Sequence, residues 1–136
     1  MTNPYAPPNQ QLAVEVYVFD LHASLAFYER VGFQLVRDEG GFAELIWPDG
    51  GSVLMLEQVA DQPQPPAKPV ANLRILVPDV DAYRITAAKM GLAVLNELAD
   101  RDYGLRDFTV AGPDGIALRF ASQLPDDRPG PPRDAD

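Results

Sequence analysis

The sequence predicts an α+β fold built from two βαβββ modules in one chain. Three observations predict it. Hydrophobic periodicity changes from strand-like to helical and back to strand-like between residues 12 and 58. A second, less perfect copy of that order runs over residues 71–122. Short motifs also recur at a nearly fixed shift. Val18-Phe19-Asp20-Leu21 returns as Val77-Pro78-Asp79-Val80 and Gly32-Phe33 as Gly91-Leu92, both 59 residues on; Pro48-Asp49-Gly50 returns as Pro113-Asp114-Gly115 at a shift of 65. A constant shift across strand and helix, followed by one insertion around residues 99–105, marks a duplicated unit.

Each element has a local cause. Residues 1–10 hold Pro4, Pro7 and Pro8 without periodicity and read as a flexible arm. The first module spans 11–58. Residues 12–18 are rich in β-branched side chains and read as a strand. Asp20 is placed to cap a helix that Gly32 stops. On that helix Leu21, Leu25 and Tyr28 share a face, which Ala23, Phe27 and Val31 widen. Strands follow over 33–36, 42–47 and 53–57, separated by Gly40-Gly41 and Pro48-Asp49-Gly50-Gly51. Residues 59–70 carry four prolines and read as a semi-rigid linker. In the second module, 71–122, Asp79 caps a helix with a Val80, Tyr83, Ala87 and Met90 stripe, and Gly91 ends it. Residues 123–136, rich in proline and aspartate, are expected to form a disordered tail.

Composition narrows the function. With 136 residues and 46% apolar side chains, the chain can form one domain, or two half-domains sharing a core. The net charge is −9 and no Lys/Arg cluster occurs, so no nucleic-acid partner is expected. No apolar run approaches the roughly 18 residues of a membrane span, so no membrane partner is expected. No charged-then-apolar leader opens the chain. The absence of cysteine removes disulfides and thiolate metal sites and fits a cytoplasmic location. An acidic surface favours cationic ligands or simple solubility. No phosphate-binding glycine loop, cysteine nucleophile or Gly-x-Ser-x-Gly elbow competes.

Two stretches carry a family resemblance. Residues 18–33, from Val18-Phe19-Asp20-Leu21 to Gly32-Phe33, resemble the opening of the vicinal oxygen chelate superfamily, which holds glyoxalase I, extradiol dioxygenases and the fosfomycin and bleomycin resistance proteins. Tyr103-Gly104-Leu105-Arg106-Asp107-Phe108, leading into Gly112-Pro113-Asp114-Gly115 and Leu118-Arg119-Phe120, resembles its closing signature. The resemblance covers about residues 11–122 and is specific for fold, not for activity. It implies two βαβββ modules forming a curved mixed sheet around a cleft.

In enzymes of that group the cleft holds a divalent metal, with ligands on the first and fourth strands of each module. Carried over by position, the first-strand sites fall on Ala13 and Asn72. The fourth-strand sites fall on Arg119 and on either Met55 or Glu57. Alanine has no donor, asparagine offers one carbonyl oxygen, and arginine places a fixed cation where a metal would sit. No metal site and no cofactor are therefore expected. His22, the only histidine, is expected on the solvent side of the first helix.

Strand parity lists what would line the cleft instead. Glu15 and Tyr17 share a face with Ala13; Arg74 shares one with Asn72; Met55, Glu57 and Arg119 come from the fourth strands. Val14, Val16 and Val18 face the other way. Trp47 and Phe42 are candidates for stacking on a planar ligand, with ordinary core or interface packing the weightier alternative. Tyr103 sits where it could cover the cleft or anchor its loop. The charged residues could also only neutralise one another across strands. The expected ligand-binding set is Glu15, Tyr17, Trp47, Met55, Glu57, Asn72, Arg74, Tyr103 and Arg119, with Glu15 and Glu57 as candidate general bases. The subgroup most similar in pattern is the bleomycin-resistance one. That similarity implies a metal-free homodimer that sequesters a cationic or aromatic small molecule. The alternative is a lyase, isomerase or dioxygenase with a displaced metal site or metal-free acid–base chemistry.

Overall fold

The structure, a computed structural model, describes residues 12–49, 51–60 and 64–125. The arm expected over 1–10, residues 126–136 of the expected tail and residues 61–63 of the expected linker lie outside the described residues. The chain divides into two compact units between Gln64 and Pro65. The first holds β1 (Val14–Val18), α1 (Leu21–Val31), β2 (Gln34–Asp38), β3 (Phe42–Ile46) and β4 (Val53–Gln58). The second holds β5 (Ala71–Leu76), α2 (Val80–Lys89), β6 (Val94–Asp100), β7 (Leu105–Ala111) and β8 (Ile116–Gln123). Each unit is a βαβββ module with its own four-stranded mixed sheet. The strand orders are β1-β4-β3-β2 and β5-β8-β7-β6, with the first strand parallel to the fourth and the other pairs antiparallel.

The helices start for the same reason in both units. Asp20 and Asp79 are extended, and each Oδ1 accepts a hydrogen bond from a first-turn amide, Ala23 at 3.2 Å and Ala82 at 3.1 Å. The fourth strand supplies a second cap. Gln58 Oε1 accepts from Leu21 N–H at 2.8 Å, and Ser122 Oγ accepts from Val80 N–H at 2.8 Å while donating to Val77 O. Gly32 at φ +130° and Gly91 at φ +71° end the helices in the region that side-chain-bearing residues avoid.

The buried face of α1 is Leu21, Ser24, Tyr28 and Val31. Leu25 and Phe27 are half-buried, and Ala23 is exposed. The helix is therefore turned slightly from the expected face, and the small Ser24 lies where the helix meets the sheet. In the core of the first unit are Val16, Val18, Ala43, Leu45, Leu54, Leu56 and Phe33. Phe33 bridges Tyr28 and Trp47 through edge-to-face contacts at 5.8 and 5.1 Å. The second core contains Ile75, Val80, Ala87, Val110 and Leu118 around a stack in which Tyr83 lies 4.3 Å from Phe120. Burial pushes the Tyr83 hydroxyl up to about 12.

Strand limits differ from the pattern in instructive ways. β1 begins at Val14, not Leu12, because its ladder with β4 begins at the Val14–Leu54 pair; Leu12 is 89% exposed. Phe33 leaves the expected second strand to fill the core. That strand instead continues to Asp38 through a bulge between Leu35 and Arg37. The bulge sets Arg37 opposite Glu44, with which it forms an ion pair at 3.1 Å.

Candidate functional site

One face of each sheet packs on its helix, and the other carries the polar candidates. On β1, Val16 and Val18 are buried while Glu15 and Tyr17 are exposed. On β4, Leu54 and Leu56 are buried while Val53, Met55 and Glu57 are half-buried. Register then fixes neighbours on the first unit's open face. Glu15 pairs with Met55, which pairs with Glu44; Tyr17 pairs with Glu57, which pairs with Phe42. This brings Glu15, Tyr17, Met55 and Glu57 together and adds Phe42 and Glu44. Glu44 was not among the expected residues, because its placement depends on a hairpin register that a single sequence does not fix.

Two carboxyl groups meet on this face. Glu15 has its pKa raised, first by a hydrogen bond with the Glu57 side chain, then by desolvation, then by the charge of Glu57. A like-charged neighbour and a hydrogen bond to the neutral form both favour the protonated carboxyl of Glu15. Glu44 is balanced by Arg37 on the adjoining strand. Trp47 stands apart from this group: it packs edge-on to Phe33 and so joins the helix side of the sheet.

In the second unit the open face is basic. Arg74 on β5 and Arg119 on β8 are paired neighbours, and Asn72 pairs with Ala117 on the same face. Tyr103 is drawn in from the loop before β7. Its hydroxyl donates to Asp107 Oδ2 at 2.6 Å and accepts from Arg119 at 3.4 Å, and the Arg74 guanidinium lies 5.4 Å above its ring. Burial, with Asp107 beside it, raises the Tyr103 pKa. Asp107 is 1% exposed and also accepts from Arg101 Nε at 2.8 Å. Tyr103 is thus anchored at its hydroxyl. Each unit thus carries one like-charge pair on its open face: Glu15 beside Glu57, and Arg74 opposite Arg119. Thr109, which holds Arg119 Nε at 3.0 Å, is a further residue that sequence reasoning missed. Its signal would have been strand parity along β7, had the register with β8 been known.

The register also separates Met55 from Glu57. Met55 pairs with Glu15 as Arg119 pairs with Arg74, so Met55 is the positional equivalent of Arg119. The positions at which the resemblance implies metal ligands therefore hold Ala13, Met55, Asn72 and Arg119. They offer no donor, a thioether, an amide and a cation, and the cation is pinned by Thr109 and Tyr103. This set does not fit a hard or borderline divalent ion, which requires several convergent oxygen or nitrogen donors. Among the described residues no three His, Cys, Asp or Glu side chains converge as a metal site. His22 is exposed on α1. No helix among the described residues is long and apolar enough to cross a membrane.

These sheets and their order agree with comparisons to known proteins. A family model for the Glyoxalase/Bleomycin resistance protein/Dioxygenase superfamily matches residues 10–120. The chain belongs to that superfamily. Among solved structures, it is similar to a glyoxalase/bleomycin resistance protein/dioxygenase from Nocardioides, with a TM-score of 0.72 and 20% identity over 93% of this chain and 91% of the other. A glyoxalase/dioxygenase from Nostoc punctiforme superposes with a TM-score of 0.71 at 19% identity, covering 92% and 99% of the two chains. A bleomycin-binding protein solved with bleomycin gives 0.67 at 20% identity, covering 83% and 98%. At these identities the likeness shows the fold. A comparison with curated proteins returned no match.

Proposed function

We propose that this chain is a metal-free small-molecule-binding protein that sequesters a cationic or aromatic ligand, such as an antibiotic, on the open face of its first unit. The observation that carries this reading is the Glu15–Glu57 carboxyl pair, set beside the rings of Tyr17 and Phe42 and the side chain of Met55. A cation placed at that pair removes the repulsion between the carboxylates. The aromatic rings offer faces on which a flat ligand stacks, which adds affinity without any reactive group. The bleomycin-binding neighbour, which shares this fold, supports a ligand of this class. Such a protein would act as a homodimer in the cytoplasm and confer resistance by holding the drug. The edge strand β1 supports the dimer, because Val14, Tyr17 and Phe19 are exposed on or just after it, two of them by 59% and 61%.

The second reading is an enzyme of the superfamily. One observation favours it: the raised pKa of Glu15 brings its carboxyl closer to the range useful for general acid–base work. Thermal shift separates the two. A sequestering protein melts higher in the presence of metal-free bleomycin or another cationic aromatic drug, because the ligand prefers the folded state. The double variant Glu15→Gln/Glu57→Gln loses that shift while remaining folded. No shift across a panel of cationic aromatic drugs removes the reading. Turnover of an added drug or carbonyl substrate that Glu15→Gln abolishes supports the enzyme instead.

A further inference from the structure

The described arginines of the second unit fall into two groups. Arg84, Arg101 and Arg106 are each closed on a carboxylate: Arg84 on Glu97 at 2.7 Å, Arg101 on Asp107 at 2.8 Å, and Arg106 on Asp81 at 2.9 Å and Asp100 at 3.0 Å. Arg74 and Arg119 are not. Among the described residues no carboxylate of this unit pairs with either. Yet these two stand directly opposite each other across the parallel β5–β8 ladder, where neighbouring strands lie about 4.8 Å apart. Both guanidinium groups are permanently charged, and like charges at paired positions oppose each other.

What holds them is neutral. Arg119 Nε donates to Thr109 Oγ1 at 3.0 Å, and its NH1 donates to the Tyr103 hydroxyl at 3.4 Å. Of the five N–H donors of a guanidinium, these two contacts leave three unused at Arg119. Arg74 rests on the face of Tyr103, a contact that uses no N–H at all. The carboxylate that touches this cluster, Asp107, is already shared between Arg101 and Tyr103 and is buried. Asp107 therefore positions Tyr103, and Tyr103 with Thr109 positions the arginines, without neutralising them. Two oriented forks whose charge is left unspent are the arrangement that recognises an oxyanion.

We infer that the second unit's open face is an anion-binding site, in which Arg74 and Arg119 clamp the carboxylate or phosphate of a small organic ligand. Asn72, two residues before Arg74 on β5 and on the same face, is placed to donate its amide to that anion. This inference does not rest on the cation site proposed on the first unit, and either can hold when the other fails.

The test is an amide-resolved NMR titration of the full chain at low ionic strength with two probes, benzoate and inorganic phosphate. Saturable shifts at Asn72, Arg74, Thr109 and Arg119 are expected with at least one probe. Benzoate alone assigns a carboxylate and phosphate alone a phosphate group. Arg74→Gln and Arg119→Gln are each expected to raise the dissociation constant at least tenfold, and Arg84→Gln, which alters a carboxylate-paired arginine, to leave it within twofold. Should Arg119→Gln fail to fold, the exposed Arg74→Gln decides. The inference is overturned if neither probe gives saturable shifts at these residues, or if folded Arg74→Gln binds as the wild type does.

Discussion

Glu15 keeps its proton to a higher pH than an ordinary glutamate because the Glu57 side chain hydrogen-bonds to it, and desolvation and the Glu57 charge add to the shift. A carboxyl whose pKa is raised by folding adds stability that is fully present below its unfolded pKa. That stability is lost as the pH rises through the folded value. Glu15→Gln should therefore melt above the wild type near neutral pH and together with it below about pH 4, where both are uncharged at this position. Scanning calorimetry at the two pH values reads this directly, and a variant that melts lower at neutral pH contradicts it. Asp107 is held by two partners. It is buried, with Arg101 on one oxygen and Tyr103 on the other. Asp107→Ala leaves a partly buried guanidinium without its counter-ion and is expected to cost about 3–5 kcal/mol, measured by urea denaturation. Neither environment was legible in the sequence. That Glu15 and Glu57 share a face follows from parity, but that their carboxyl groups meet depends on the β1–β4 register. The sequence shows Arg101, Tyr103 and Asp107 in one short stretch, without showing that their side chains converge.

The helix starts were legible, because a cap is a local device. Asp20 and Asp79 each precede an apolar repeat and are found accepting first-turn amides. The second cap was not legible, since Gln58 and Ser122 lie 37 and 42 residues from the amides they accept. Asp20→Ala and Asp79→Ala should each cost about 1 kcal/mol in the same denaturation experiment. Ser122→Ala should cost a similar amount, about 1 kcal/mol, because it removes both the Val80 cap and the bond to Val77 O. A loss below a few tenths of a kcal/mol at all three would mean that sheet packing alone sets where the helices begin. The faces of the strands followed from alternation. Their ends did not, since a strand ends where its partner ends, as Leu12 shows. The bulge at Leu35–Arg37 has no signal in the strand's own residues.

At the scale of the whole chain, duplication is what made the fold readable. Two βαβββ units with matching caps, stops and turns leave few alternatives, and the family match over residues 10–120 agrees with them. Duplication also makes the divergence visible. The two sheets share one topology and the register of their first and fourth strands, yet one open face gathers glutamates with aromatic side chains and the other gathers arginines. Residue types at the family's ligand positions could be read from sequence. Which charge would meet which could not, and mutual neutralisation across strands was as reasonable an expectation as the like-charge pairs found within each unit. Activity is not fixed by the fold, so the proposed function stands on the acidic, aromatic face of the first unit.

The measurement that tests that claim most directly is isothermal titration of metal-free bleomycin into the purified chain, in two buffers of different ionisation heat and at several pH values. Saturable binding without added metal is expected. Affinity should rise as the pH passes through the raised pKa of Glu15, with proton release over that range and loss of binding in Glu15→Gln/Glu57→Gln. Binding that requires a divalent metal, or that the double variant retains in full, would contradict it.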